Sequence, residues 1–498
     1  MSNQEININN KVEAEALEGR IPVLASERIY KSYSSILWTC CTFSAATWAF
    51  LIGSYLPYVG DWRIGVAGYA IGLLIGMALV TLASGVPSHK YGTDVIDSAK
   101  SSFGYRGIII PLFGLLATLI GWSYVVEALT ARGTANIVST INGSEISETM
   151  VVSLGVLVLL FVWLVTSKGP KLFEKINNYV GPAMMIITVV MFWILFDTYG
   201  LGYLWNTQLP KEDMITNDPV RGLALAIEFG MANAMTWWPV MGGLTRLVEK
   251  RKHVIGPSVM GVGVLGAAFI AAVAALSSIS AGTYDPTIWM IELGGPVLGS
   301  VCLGIVMISN LATMVVMFYL AGVSIQQIKL FSRMKWGVLM GVIILPGIYF
   351  AFNTEWLLSS VMSWLSYNGV MFVGITGITL VDYFMLRNQE IEPASLFATK
   401  GSRYEYWSGV NWVAVAIVGL STAAYLWLYN PITAESAYLF KYLGASLPIV
   451  LISGLVYYIA ARIILVRLKK GSYNLPGVSL RSAVLDSDSP EKTLKVAL

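Results

Sequence analysis

The chain has 498 residues, of which 56% are hydrophobic and only 12% charged, about half the charged share of an ordinary soluble domain. Its mean hydropathy is +0.68 and its formal net charge is +3. These values exclude a soluble globular enzyme and predict an all-α polytopic membrane protein, with the lipid bilayer as its surroundings and no nucleic-acid partner.

The first 34 residues are polar, rich in Asn and Glu, and carry no signal-peptide pattern. Apolar runs of roughly 20 residues, the length a spanning helix needs, then recur about twelve times. They fall near 35–58, 64–85, 107–131, 150–167, 177–197, 222–245, 256–281, 294–322, 335–352, 356–384, 408–429 and 445–466. A polar tail closes the chain from 467 to 498. Alternate connections are basic, for example Lys90, Lys100 and Arg106, then Lys168, Lys171 and Lys175, then Arg246, Lys250 and Arg251. The intervening ones are poor in Lys and Arg. This alternation puts both termini in the cytoplasm of a cell whose inner or plasma membrane the chain spans.

With that orientation, the first and sixth spans cross in opposite directions. Residues 35–197 and 222–384 then form two five-helix halves of an inverted repeat, followed by two additional helices over 408–466.

Two stretches interrupt this regularity. The sixth span contains Thr236, Trp237, Trp238, Pro239, Gly242 and Gly243. Pro239 removes a backbone donor and crowds the carbonyl four residues back, so this helix is expected to break inside the membrane, facing protein or a cavity. The first span carries an echo, Thr47 and Trp48 with Gly53 five residues after the Trp and Pro57 beyond. Paired interrupted helices in two halves point to a transporter's binding site.

Few side chains suggest other chemistry. Trp48, Trp122, Trp237 and Trp238 lie deep in their spans, away from the membrane edges where tryptophan belts sit. Their faces can stack a planar ligand or attract a cation. Glu127 and Glu228 are acids inside spans, which marks them as functional candidates. Glu127 is read either as paired with Arg132, as a protonatable coupling residue, or as the counter-charge of a cationic substrate. Ser309 and Thr313 are four apart and share a helix face. Together with a carbonyl released near Ala45 they can hold sodium, and Asn310 beside them can reach a ligand or a neighbouring helix. His89 and His253, the only histidines, are expected in solvated loops. Cys40, Cys41 and Cys302 read as small buried residues. No nucleotide-binding loop or metal-ligand spacing is present. The chain is therefore expected to be no enzyme, to carry no cofactor, and to draw energy from a gradient of Na+ or H+.

Four stretches in order resemble one family. They are Tyr91 to Gly107 with its ending Ser102-Phe-Gly-Tyr-Arg-Gly107, Thr236-Trp-Trp-Pro239 with Thr245-Arg246, Asp382-Tyr-Phe-Met-Leu-Arg387, and Tyr404 to Asn411. The chain so resembles the nucleobase:cation symporter-1 family, the permeases for purines and cytosine, uracil, allantoin, hydantoin and thiamine. The resemblance implies a leucine-transporter-like five-plus-five fold and symport of a small nitrogenous compound with a cation, and the chain is expected to be a monomer. It implies a substrate held between Trp122 and Trp237; the residues themselves add Trp48, Thr47, Gly53, Asn310, Trp238 and Glu127 as further candidates. Departures from the family pattern also stand out. Val126 replaces an amide four residues after Trp122, Met314 replaces one four residues after Asn310, and Gly243 stands where an acid is usual. Two substrates follow: a nucleobase or related heterocycle, or a cationic thiamine-like or polyamine-like compound with proton coupling.

Overall fold

A computed structural model describes residues 12–399, 401–433 and 435–473. Most of the expected 467–498 tail, and the first eleven residues, lie outside the described residues. Within them the chain is helical, with isolated β-bridges and no strand.

The helices are α1 Tyr33–Ser44, α2 Thr47–Val59, α3 Trp62–Tyr91, α4 Val95–Phe103, α5 Ile109–Asn142, α6 Glu148–Thr166, α7 Lys171–Asn206, α8 Pro219–Met235, α9 Trp238–Thr245 and α10 Arg251–Ala281. They continue with α11 Pro286–Gly294, α12 Ser300–Ile325, α13 Trp336–Ala351, α14 Thr354–Val381, α15 Trp412–Leu428 and α16 Ser446–Leu465. Among the described residues, 8 helices are long and apolar enough to cross a membrane, or 10 if each of two bent pairs is one span. The sixth and eleventh expected spans fall outside that number. One is split into α8 and α9, and α15 is a single shorter helix.

Both interruptions are real, and each falls earlier than its Gly and Pro residues suggest. The first is at Ala45 and Ala46, where the backbone leaves the helix (Ala46 φ −92°, ψ 175°) and the axis bends by 60°. Gly53 and Pro57 lie inside α2. The second is at Thr236 and Trp237, whose N–H groups turn back to Asn233 and Ala234, three residues away instead of four. Pro239 sits in the first turn of α9, where its missing N–H is an orphan in any case. Its ring would crowd the carbonyl of Met235, so the break comes just before it.

The broken helices exchange partners. α2 packs on the C-terminal half of α10 while α1 packs on its N-terminal half; α8 packs along α3 while α9 packs on that helix's C-terminal end. The α3–α8 contact is very close. A Cβ on Gly72 would lie 2.0 Å from the Ile227 carbonyl oxygen, and one on Gly230 would lie 2.2 Å from that of Tyr69. Small residues let backbones approach in this way where no hydrophobic force drives association.

Polar side chains close the ends of the bundle. Arg246 is buried and donates to the carbonyls of Ala16 (3.0 Å) and Leu17 (2.8 Å) and to the Tyr319 hydroxyl (2.7 Å). Asp382 pairs with Arg387 at 2.8 Å and accepts from Ser102 (2.9 Å) and Tyr473 (2.6 Å). Asn411 donates to the Ser102 carbonyl at 2.7 Å and caps α15. The recurring sequence motifs therefore include end-of-span fasteners as well as a site. The histidines are not solvated: His89 is 7% exposed and His253 9%, and Arg28 reaches both the ring (3.2 Å) and the carbonyl (2.7 Å) of His89. Glu228 is buried too. It accepts from the N–H groups of Ala445 (2.7 Å) and Ser446 (2.8 Å) and from the Tyr425 hydroxyl (2.8 Å), so it caps the start of α16.

Candidate substrate site

The two breaks bring three indoles together. Trp48, in the first turn of α2, lies 5.7 Å from Trp122 of α5 and 6.0 Å from Trp237, centroid to centroid, tilted 45° to each. Phe43 meets Trp237 edge-on at 4.9 Å, and Trp364 meets Trp122 at 5.4 Å. Phe43, Trp48, Trp122 and Trp237 enclose a small cavity, which Thr118, Asn233 and Thr236 also line. Its free volume is about 20 Å³, room for a single water. The aromatic walls are closed on one another in this conformation, and ligand entry requires at least one indole to move. No charged residue lines this cavity among the described residues.

The polar groups at the cavity are few and neutral. The Trp48 indole N–H is buried and has no acceptor. Asn233 donates to the Tyr69 hydroxyl at 2.8 Å. Thr118 donates to the Asn368 carbonyl oxygen at 2.7 Å, which leaves the Asn368 NH2 buried without an acceptor. Of the lining residues, Asn233, Thr236, Thr118 and Phe43 were not among the sequence candidates. A signal existed for two of them: Asn233 and Thr118 each precede a cavity tryptophan by four residues, one helical turn on the same face.

The other sequence candidates lie elsewhere. Trp238 turns away, stacked on Phe372 at 5.8 Å with its N–H 3.4 Å from Thr379. Gly53 faces α10, where a Cβ would lie 2.6 Å from the Ala271 Cα. Gly243 packs on Leu320, 2.5 Å from where a Cβ would be. Thr47 and Asn310 bond each other: the Thr47 N–H donates to Asn310 at 2.9 Å, and the Asn310 NH2 donates to the hydroxyls of Thr47 (2.7 Å) and Thr130 (3.0 Å). Glu127 is fully buried between α5, α6 and α13, and Arg132 is not its partner. Arg132 lies near Asp285 (3.8 Å) and Glu355 (3.7 Å).

Beside the first break, oxygens converge. Ser309 lies 3.1 Å from the Ala45 carbonyl and 3.3 Å from that of Thr42, and Thr313 lies 3.4 Å from the Thr42 carbonyl. All are buried. Two carbonyls freed by the bend and two hydroxyls from one face of α12 are the hard neutral donors that suit a small cation.

Apolar helices broken at mid-span around an aromatic cavity define a membrane transport protein. The particular family follows from comparison. A profile of the family described as permeases for cytosine/purines, uracil, thiamine and allantoin matches residues 22–444, and the chain belongs to that family. An allantoin permease of Bacillus subtilis (strain 168) is 22% identical over 479 residues, 90% of this chain and 93% of that permease. A hydantoin permease of Microbacterium maritypicum is 45% identical over 49 residues, 10% of each chain. The fold is that of Mhp1, a nucleobase-cation-symport-1 family transporter. Its closed conformation with bromovinylhydantoin bound matches with a TM-score of 0.72 at 16% identity, over 90% of this chain and 96% of Mhp1. Its inward-facing conformation matches with 0.70 at 18% identity, over 90% and 93%.

Proposed function

We propose that this permease takes up a neutral, planar nitrogen heterocycle, a nucleobase or a relative such as a hydantoin or allantoin, by cation-coupled symport. One observation carries the reading: the cavity is walled by three indoles and carries no charge. A cationic substrate would have only the ring faces as partners, because Glu127, the residue the sequence offered as its counter-charge, is outside the cavity. A heterocycle with adjacent carbonyl and N–H groups finds complementary partners instead. Trp48, in the cavity wall, has an unsatisfied indole N–H, and Asn233, having donated to Tyr69, keeps a carbonyl oxygen to accept. Buried donors left unpaired cost about 1–3 kcal/mol each, so a ligand that pairs them gains selectivity.

Sodium is the coupling ion we favour, held by the Ala45 and Thr42 carbonyls with Ser309 and Thr313. The bend of α1 against α2 is part of that site, so filling it would favour the bent conformation, with Trp48 at the substrate cavity. The exchanged packing of α1–α2 on α10 and α8–α9 on α3 supports the inverted repeat of 35–197 and 222–384. We further read the chain as a twelve-span monomer of the cell membrane with both termini cytoplasmic.

A thermal-shift panel on the purified protein tests the substrate. Nucleobases, hydantoins or allantoin are expected to stabilise it, and thiamine and polyamines are not. Stabilisation by the cations alone would overturn the reading.

A further inference from the structure

Glu127 is unlike every other buried acid in the bundle. Glu228 is satisfied by two backbone N–H groups and two hydroxyls. Asp382 has Arg387 and several hydroxyls. Glu127 is 0% exposed, and neither carboxyl oxygen has a hydrogen-bond partner. The carboxyl lies against Gly155 of α6, so closely that a Cβ there would be 2.2 Å from Oε1, and Ala351 at the end of α13 closes the same spot. No charged side chain faces it from α5, α6 or α13 among the described residues. Its titratable neighbour is Tyr124, whose hydroxyl is committed to the Ile343 carbonyl at 2.7 Å.

We propose that Glu127 is a proton-binding site, separate from the substrate cavity, that holds its proton in this conformation and releases it only when the seam between α5, α6 and α13 opens. An ionised carboxylate here would lose its hydration with no hydrogen-bond donor or ion partner in return, and an uncompensated buried charge is strongly destabilising. The neutral acid has no such penalty. A route to water is near. Ala351 ends α13 just before the turn at Asn353, and Glu355 beyond that turn is exposed and lies 3.7 Å from Arg132. Arg132 is five residues along α5 from Glu127, about 7.5 Å of helix. The Arg132–Glu355 pair thus spans the mouth of the seam. The release is a simple dissociation: the O–H bond breaks, the proton passes to water, and the carboxylate remains. Trp122 lies on the same helix α5, five residues before Glu127, and α12, which carries Ser309 and Thr313, packs on α5 and α6.

The test is infrared spectroscopy of the reconstituted full-length protein between acid and mildly alkaline pH. The native protein is expected to keep a protonated-carboxyl band at alkaline pH that is missing in Glu127→Gln. Absence of the band in the native protein, or its persistence in Glu127→Gln, would overturn the proposal. Gly155→Ala is the second variant: it keeps the acid and pushes a methyl group onto it. The band is expected to shift or vanish there, and an unmoved band counts against the site. None of these readouts depends on the substrate or on sodium.

Discussion

Asn310 and Thr47 hold each other at both ends: the Thr47 N–H donates to the Asn310 carbonyl oxygen at 2.9 Å, and the Asn310 NH2 donates to the Thr47 hydroxyl at 2.7 Å. Thr47 opens α2 directly after the break at Ala45 and Ala46, so its N–H is one of the orphans that every helix start leaves. Asn310 of α12 satisfies it from across the bundle and fixes where α2, and with it Trp48, begins.

Asn310→Ala is therefore expected to destabilise the protein by about 2–4 kcal/mol, because it strands a buried donor and a buried acceptor on Thr47 and removes the bond to Thr130. Thr47→Val should cost less and should be less than additive with Asn310→Ala, since both delete one contact. Thermal unfolding of the two single variants and the double variant checks this; full additivity would mean the pair does not act as a unit.

Trp122→Ala and Trp237→Ala each remove a stacking face. Ring stacking on a base is worth about 1–3 kcal/mol, so affinity for the stabilising heterocycle should fall by roughly 5- to 150-fold. Trp238→Phe keeps the packing on Phe372 and should leave affinity unchanged. Calorimetry on the three variants separates the adjacent tryptophans.

Asn233→Leu keeps the size of the side chain but removes its amide from the cavity. Affinity is expected to drop by about 1–3 kcal/mol for ligands that present an N–H to it, with a much smaller loss for analogues methylated at that nitrogen. A uniform loss across the series would assign Asn233 to packing with Tyr69 alone.

Ser309→Ala takes one oxygen from the cluster at the first break. The sodium concentration for half-maximal uptake should rise by on the order of tenfold, about 1.4 kcal/mol. Uptake that is undiminished when choline replaces sodium in the native protein would remove this role from Ser309 and Thr313.

Asp94, in the connection before α4, supplies a pH dependence. Burial pushes its carboxyl up to about 6, the neighbouring Asp97 adds to this, and Arg246 and the Ser324 hydroxyl (2.8 Å) oppose it. Asp97 is itself paired with Lys100 at 2.7 Å. The folded protein binds the Asp94 proton more tightly than the unfolded chain does. Its contribution is therefore complete below about pH 4 and is lost as pH rises through about 6. The loss is on the order of 2–3 kcal/mol. Asp94→Asn should flatten the fall in thermal midpoint across that window, and an unchanged slope would place the titration elsewhere.

Much of this was open to reading from residue order. Apolar run lengths gave helices and a membrane, and Pro239 located the sixth-span break to within a few residues. Ser309 and Thr313, one turn apart, do face the carbonyls near Ala45. The errors share a cause. Gly53, Gly242 and Gly243 look like hinges in sequence, yet they are points where another element comes close. His89 and His253 look like loop residues because nothing local shows that Arg28 and the chain before α1 fold back over that end. Glu228 reads as a functional acid inside its span until α16 is placed with its first N–H groups on it.

Hydrophobic length, the Pro and Trp pattern and the family motifs determined by themselves that this is a membrane permease with two interrupted spans. Those properties are local, since lipid demands about twenty apolar residues per helix and Pro disrupts its own turn. Which side chains make the site was decided only by tertiary structure. Neighbours such as Trp237 and Trp238 point about 100° apart on a helix, and the packing of α14 selects which one faces the cavity. The same packing left Glu127 a few residues from Trp122 in sequence but in a different compartment. A carboxylate's role in a membrane depends on what faces it, and that is set by helices distant in the chain.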